Sequence, residues 1–488
     1  MYKLKHINAV KTGDLILSEE PFAYVLSSKE KGSRCDFCLE KGKVLKCSGC
    51  QFVHYCNRSC QKDAWEDHKW ECANLKRIAP KTIPDAARLL ARILNRLQRG
   101  NGGAHKAYYT PTSFRVWKDL MSHYSDLKSD KKRMDHFSTL CIVLFEYLKD
   151  ISLPNTADLM GLYGRMVINS FTILDIEMNS IGTGIYLASS VIDHSCDPNA
   201  VAVFDGKTIN IRALKDMNCL DWKKIRISYI DLMKTPYERQ MELRQSYYFL
   251  CQCDRCLDEN RIKYVHAAKC LKDGCEHPVN IKWRENLKLV EKIEKEKVKE
   301  NGAGDRIVSN GCSEPIFNGI LPLPDGSVYC GKCGTEFMRN DLDKFMRTME
   351  ESEVNLENMK ETSVAYVDIC KQCLDKQEGV LHPLNVMYAQ TLDNAFDALI
   401  LVQLWEQACV YAEKLIPCFR FYYGETHPLL GLLHIKYGKI LLYKMNLAGA
   451  LKQFKCAEKI IKITHGEKHP LYKNHLLPLM YQAIVESE

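Results

Sequence analysis

Seven cysteines crowd residues 35–72, and with His68 they are spaced as Cys35-x2-Cys38, Cys47-x2-Cys50, Cys56-x3-Cys60 and His68-x3-Cys72. Eight such ligands are the number that two closed tetrahedral zinc sites require, and a segment this short gains its folding energy from the metal. His68 and Cys72 stand four apart, so a helix puts both on one face. Interleaved pairing is the natural arrangement: Cys35, Cys38, Cys56 and Cys60 on one ion, with Cys47, Cys50, His68 and Cys72 on the other. The chain holds 23 cysteines in all. Met1-Tyr2-Lys3-Leu4-Lys5-His6 leads on without a hydrophobic core, and no run of ~18 apolar residues occurs, so neither a secretion leader nor a membrane span is expected. In that setting thiolate metal ligands are a better reading than disulfides.

Two further clusters follow. Cys251-x-Cys253-x2-Cys256 supplies three ligands, and Cys196, in Asp193-His194-Ser195-Cys196-Asp197-Pro198-Asn199, is the candidate fourth. Cys270-x4-Cys275 with Cys330-x2-Cys333 suggests a zinc ribbon, for which Cys312 is a spare. The other leftover cysteines (Cys141, Cys219, Cys370, Cys373, Cys409, Cys418 and Cys456) read, like Cys312, as core residues. Fifteen thiolates against four divalent ions amount to a net charge of −7, which cancels the formal +7 of the bare chain. The basic balance is therefore no argument for a nucleic-acid partner, and direct DNA binding is not expected.

The remaining sequence alternates between β and helical patterning. Leu15-Ile16-Leu17 and Phe22-Ala23-Tyr24-Val25-Leu26 read as short strands. From Pro84 to about Asp150 the pattern is helical, with Ala86, Leu89, Leu90, Ile93, Leu94 and Leu97 on one stripe. Between Met166 and Leu232 short β-type runs return: Phe171–Ile173, Gly184–Leu187, Val201–Phe204, Ile209–Ile211 and Ile225–Tyr229. Lys282–Glu300 interleaves Lys and Glu as a solvated helix would. After residue 350 everything is helical, and a His-Pro-Leu element recurs at His382, His427 and His469, 45 and 42 residues apart. Gly closing one helix and Pro opening the next, at a period near ~40, is the signature of stacked tetratricopeptide-like helix pairs. Those histidines read as helix-start residues, not metal ligands.

The first cysteine run, with Tyr55-Cys56 and Cys60-Gln61-Lys62-Asp63-Ala64-Trp65 inside it, resembles the MYND zinc finger. Downstream, Asn169-Ser170-Phe171, Gly184-Ile185-Tyr186, His194-Ser195-Cys196-Asp197-Pro198-Asn199, Ser228-Tyr229-Ile230-Asp231 and the Cys-x-Cys-x2-Cys tail keep the motif order of a SET domain. Taken together, the chain resembles the SET-and-MYND family of protein-lysine methyltransferases over essentially its whole length. The resemblance implies a multidomain α+β protein. Its parts are the N-terminal portion of the SET domain (1–34), the MYND finger (35–72), a helical insertion (73–165) and the SET core (166–235). A post-SET zinc region (236–260), an insertion with a zinc ribbon (261–350) and TPR-like repeats that roof the substrate cleft (351–488) complete it.

The resemblance also implies chemistry. An S-adenosylmethionine (SAM)-dependent methyl transfer to protein lysines is expected, on histone or non-histone targets, in cytoplasm and nucleus. Tyr229 matches the catalytic tyrosine, and Tyr247 and Phe249 match the aromatic lysine channel, Phe249 bordering the donor pocket as well. Asn169, Asp193, His194 and, on a helix, His123 match donor contacts. Four zinc ions are implied: two in the finger, one post-SET through Cys196, Cys251, Cys253 and Cys256, and one in the ribbon. MYND fingers bind Pro-rich peptides, so such partners are implied beside lysine-bearing substrates.

Three departures stand out. The Gly-x-Gly turn with which family members begin is expected upstream of Met1-Tyr2-Lys3-Leu4, because the first glycine, Gly13, fits the following turn; the alternatives are a half-open donor site or an internal start. Asp193 replaces the family's Asn and can only accept hydrogen bonds when ionised. Leu220-Asp221-Trp222-Lys223-Lys224-Ile225 replaces a Gly-Glu-Glu-Leu turn and reads as a longer hairpin near the pocket. The rival expectation is a catalytically weak or inactive adaptor that uses the SET fold as a scaffold for binding partners.

Overall fold

The computed structural model describes residues 9–98, 102–149, 152–281, 327–361 and 367–487. Residues 1–8, the Lys/Glu stretch at 282–300 and Cys312 lie outside them. Strands β1 (Leu15–Glu19) and β2 (Ala23–Leu26) come first, followed by a small hairpin of β3 (Leu45–Lys46) and β4 (His54–Tyr55). Helix α1 (Arg58–Ile78) starts where the Asn57 side chain accepts the N–H of Cys60, and it carries His68 and Cys72 on one face. Helix α2 (Asp85–Gln98) buries Leu89, Leu90, Ile93 and Leu94 as its stripe requires, but also Arg88 and Arg92.

The helical stretch from Pro84 is not continuous. A hairpin of β5 (Ala107–Tyr108) and β6 (Phe114–Arg115) interrupts it before α3 (Tyr124–Ser129) and α4 (Lys131–Tyr147). Helix α5 (Thr156–Asn169) then runs four residues, 166–169, into the segment read as β. Leu159, Met160, Tyr163 and Met166 set a buried face at helical spacing, and the β-branched Val167 and Ile168 ride on it.

Two three-stranded sheets form the β core. In one, β8 (Ser180–Ile185) lies between β2 and β7 (Ser170–Leu174); in the other, β11 (Thr208–Ala213) lies between β1 and β10 (Ala200–Asp205), and all neighbours are antiparallel. On β11 the buried positions Ile209, Ile211 and Ala213 alternate with half-buried ones, the period-two pattern of a strand with one face in the core. A short parallel pairing joins β9 (Asp193–His194) to β12 (Arg226–Ile227), which is all that remains of the expected strand at 225–229.

Leu220–Ile225 is a compact turn, not a hairpin. The Asp221 side chain accepts the N–H of Lys223, and its carbonyl accepts those of Lys224 and Ile225. Cys219 beside it is exposed, against the expectation of a core residue.

Helices α6 (Pro236–Tyr247), α7 (Asp254–Leu257) and α8 (Glu259–Val265) lead to the ribbon strands β13 (Val328–Tyr329) and β14 (Glu336–Phe337). Seven helices, from Arg339–Glu361 to Leu477–Val485, complete the described chain. In the three His-Pro-Leu elements Nδ1 of His382, His427 and His469 accepts the N–H of Leu384, Leu429 and Leu471; His427 is the N-cap of Pro428–Tyr443, whereas Asn385 caps the helix that follows His382. Two of them also anchor the repeats. Nε2–H of His382 donates to the Glu276 carbonyl of the ribbon region at 3.1 Å, and that of His469 to the Phe204 carbonyl of β10 at 2.9 Å. The helical repeats are thus fastened to the rest of the molecule at both ends.

Candidate functional site

Among the described residues four clusters of metal-ligand atoms form, each with its four atoms within 4.8 Å of one another. They are Cys35, Cys38, Cys56 and Cys60; Cys47, Cys50, His68 and Cys72; Cys196, Cys251, Cys253 and Cys256; and Cys270, Cys275, Cys330 and Cys333. A Zn–S bond of about 2.3 Å sets the edge of a thiolate tetrahedron at roughly 3.8 Å, whereas a disulfide needs about 2.05 Å. Cys38 and Cys56 lie 3.8 Å apart, Cys47 and Cys72 3.9 Å, Cys196 and Cys251 3.9 Å, and Cys275 and Cys330 3.7 Å. The residues fit zinc at all four places. The other described cysteines join no such cluster.

A charged group that spacing did not reveal supports the finger. Nε2 of His68 faces Cys50 at 3.6 Å, so Nδ1 carries the proton and donates to Glu71 at 3.1 Å. Glu71 is fully buried and also receives Arg88 at 2.9 Å and Arg92 at 2.6 Å. Burial alone raises its pKa, but the two guanidiniums outweigh that and hold it well below the usual carboxylate range. Arg88 goes on to Asp36 in the finger, and Arg92 to the Tyr24 carbonyl on β2. The only sign in the sequence was a pair of arginines, four apart, within an apolar helix.

The third zinc cluster adjoins an aromatic group. His194 points Nε2 at Cys196 Sγ (3.3 Å), and its Nδ1 accepts the backbone N–H of Tyr229 (3.0 Å). Burial lowers its pKa to about 4, so the ring is neutral, as an acceptor nitrogen demands. Tyr229 lies 5.4 Å from His194 and 5.0 Å from Tyr247, ring centre to ring centre, and Phe249 lies 6.0 Å from His194 and 6.5 Å from Tyr247. The Tyr229 hydroxyl donates to the Ile192 carbonyl at 2.5 Å, and burial raises its pKa. Glu19 fixes the turn just before this carbonyl, accepting the N–H groups of Ala188 and Ser189 and the Ser189 hydroxyl. Tyr423, from the repeats, donates to Asp231 at 2.7 Å, two residues past Tyr229.

The remaining sequence-derived positions gather in two places. Asp193 is exposed beside β12, with Arg226 at 3.8 Å. Asn169 donates to the carbonyls of Met121 and Arg165, both at 2.8 Å, which leaves its oxygen without a partner among the described residues. His123, two residues after Met121, is held by Asp126 at 2.9 Å and packs on Tyr248 at 5.4 Å. The structure therefore brings Tyr229, His194, Tyr247 and Phe249 together, and sets Asn169 and His123 in a second group alongside. For a ligand with a cationic sulfur and an aromatic base, the exposed carboxylate of Asp193 and the Phe249 face are chemically suitable partners.

Comparison with known proteins agrees with this anatomy. The MYND finger family model matches residues 35–72. The Homo sapiens histone-lysine N-methyltransferase SMYD3 is 28% identical over 480 residues, covering 98% of this chain and 94% of the relative. N-lysine methyltransferase SMYD2 of Homo sapiens is 25% identical over 473 residues (96% and 93%). The Arabidopsis thaliana histone-lysine N-methyltransferase ASHR1 is 26% identical over 469 residues (95% and 89%).

Proposed function

We infer that this chain, a member of the SET-and-MYND family of protein-lysine methyltransferases, transfers a methyl group from SAM to the side-chain nitrogen of a protein lysine. The observation that carries the reading is the ring group of Tyr229, Tyr247, Phe249 and His194, built onto a zinc cluster through Cys196. SAM supplies the electrophilic methyl. The protein's part is alignment and exclusion of water, because the amine attacks directly and no covalent intermediate on the enzyme is needed. Tyr229 and Tyr247 would wall a channel that favours the uncharged amine, since a low-dielectric setting disfavours the ammonium. The Tyr229 hydroxyl, oriented by the Ile192 carbonyl, would hold the amine in line; Asp193, Asn169, His194, His123 and Phe249 would contact the donor.

The proposed division of labour has residues 1–34 and 166–235 as catalytic SET core and 73–165 as its helical insertion. Residues 236–260 and 261–350 would be zinc-bearing supports, and 351–488 a repeat domain facing the substrate. The finger at 35–72 would dock Pro-rich peptides, a reading supported by the exposed side chains of Leu45 and Trp65. Targets are histone or other proteins, in cytoplasm and nucleus; no described helix is long and apolar enough to cross a membrane.

One observation favours the adaptor reading: the Asn169 amide, both His194 nitrogens and His123 Nδ1 already have protein partners. Isothermal titration of the zinc-loaded chain with SAM separates the two. Saturable binding in the micromolar range is expected, and no detectable heat at high micromolar donor would leave the adaptor.

A further inference from the structure

Residues 246–249 stitch two hydrophobic cores together. Tyr247 and Phe249 pack against the core that holds the third zinc cluster and the repeats. Tyr248, between them, packs instead against the core of the finger, α2 and α4. The switch depends on backbone that a tyrosine rarely adopts: Tyr248 closes α6 with φ 61, in the left-handed region. The ring it meets, His123 at 5.4 Å, also belongs to a left-handed residue, with φ 45. Two such residues in contact persist only where the surroundings over-determine them, as happens next to functional sites.

Those surroundings are visible. The Tyr248 hydroxyl donates to Asp130 Oδ2 at 3.0 Å, and Asp130 Oδ1 caps α4 by accepting the N–H of Arg133 at 3.1 Å. Arg133 in turn donates to the Ser246 carbonyl at 3.4 Å. On the other side of the same corner, Asn169 holds the Met121 carbonyl. The start of α4 is therefore tied to residues 246–248, through Asp130 to the Tyr248 hydroxyl and through Arg133 to the Ser246 carbonyl.

We propose that Tyr248, through Asp130, is a positioning residue that holds Tyr247 and Phe249 in place as the wall of the site beside Tyr229. The role assigned to that wall rests on the methyltransferase reading, but the positioning does not, and the test separates them. Hydroxyl-radical footprinting of the full zinc-loaded chain, read by mass spectrometry, reports the exposure of each ring. In Tyr248→Phe, oxidation of Tyr247 and Phe249 should rise about threefold or more, while Tyr443 and Tyr481 in the repeats stay unchanged. Asp130→Ala should do the same. Asp130→Asn keeps the cap acceptor and can donate its amide to the phenol oxygen, so it should restore the wild-type pattern.

Unchanged labelling of Tyr247 and Phe249 in Tyr248→Phe would overturn the proposal. So would a uniform rise across all tyrosines, which would mean general loosening of the fold. A local rise in a chain that fails to bind SAM would uphold the positioning and remove the methyltransferase reading alone.

Discussion

His194 accepts the backbone N–H of Tyr229 on Nδ1 at 3.0 Å while its Nε2 faces the sulfur of Cys196 at 3.3 Å. One neutral imidazole thus joins the tyrosine proposed for catalysis to a zinc ligand. The zinc cluster and the ring group form one mechanical unit, and several outcomes depend on that.

Replacing Cys196 with Ser should remove one of four zincs per chain, measurable by elemental analysis. It should also abolish methyl transfer, although the finger 35–72 keeps its two ions. Retention of all four zincs, or of full activity with three, would break the link between metal and ring group.

Tyr229→Phe keeps the ring packing and loses only the hydroxyl that donates to Ile192. Turnover should fall about 100-fold, the scale expected when a reacting group is misaligned by an ångström, with SAM affinity little changed. Unaltered turnover would rule out Tyr229 as the orienting group.

Glu71 is the buried hub of His68, Arg88 and Arg92. Glu71→Gln leaves buried Arg92 without a carboxylate partner and Arg88 with Asp36 alone, and should cost about 3–5 kcal/mol, as breaking buried pairs typically does. It should also weaken the zinc held by Cys47, Cys50, His68 and Cys72 about 10–100-fold, the usual effect of losing a partner of a ligating histidine. Competition with a zinc chelator and thermal unfolding read the two effects separately.

The Asp393 carboxyl, on the helix Val386–Leu401, is pushed up to about 7 by burial and by Asp397 and Asp231, with Lys436 opposing. An unfolded Asp titrates near ~3.9, so the folded chain retains a proton that the unfolded chain has lost. This contribution to stability is complete below the unfolded value, declines as pH rises toward 7, and is absent above it. Asp393→Asn should therefore stabilise relative to wild type by more at pH 8 than at pH 5.5. An equal difference at both pH values would contradict the assignment.

Much of the site was legible in the sequence because metal ligands impose hard spacing. The fifteen ligands read from Cys-x2-Cys and related steps, with Cys196 as the candidate fourth of the third set, meet in four clusters with the expected pairing. The ring group was legible only through motif order, since Tyr229 or His194 by itself says nothing. The Glu71–Arg88–Arg92 hub and the Tyr248–Asp130 bond were not legible, because each joins residues 17 to 118 positions apart by tertiary packing alone. Local chemistry misled at Leu220–Ile225, where one aspartate folds the chain into a turn before a strand can pair.

The most direct test of the account is transfer itself. Purified, zinc-loaded chain is incubated with SAM and a lysine-peptide array, and the products are sequenced by mass spectrometry. Methyl groups on lysine nitrogen, formed about 100-fold more slowly when the Tyr229→Phe variant is used, are the predicted result. Methylation undiminished in that variant, or no methyl-lysine at all from a chain with four bound zincs, would contradict it.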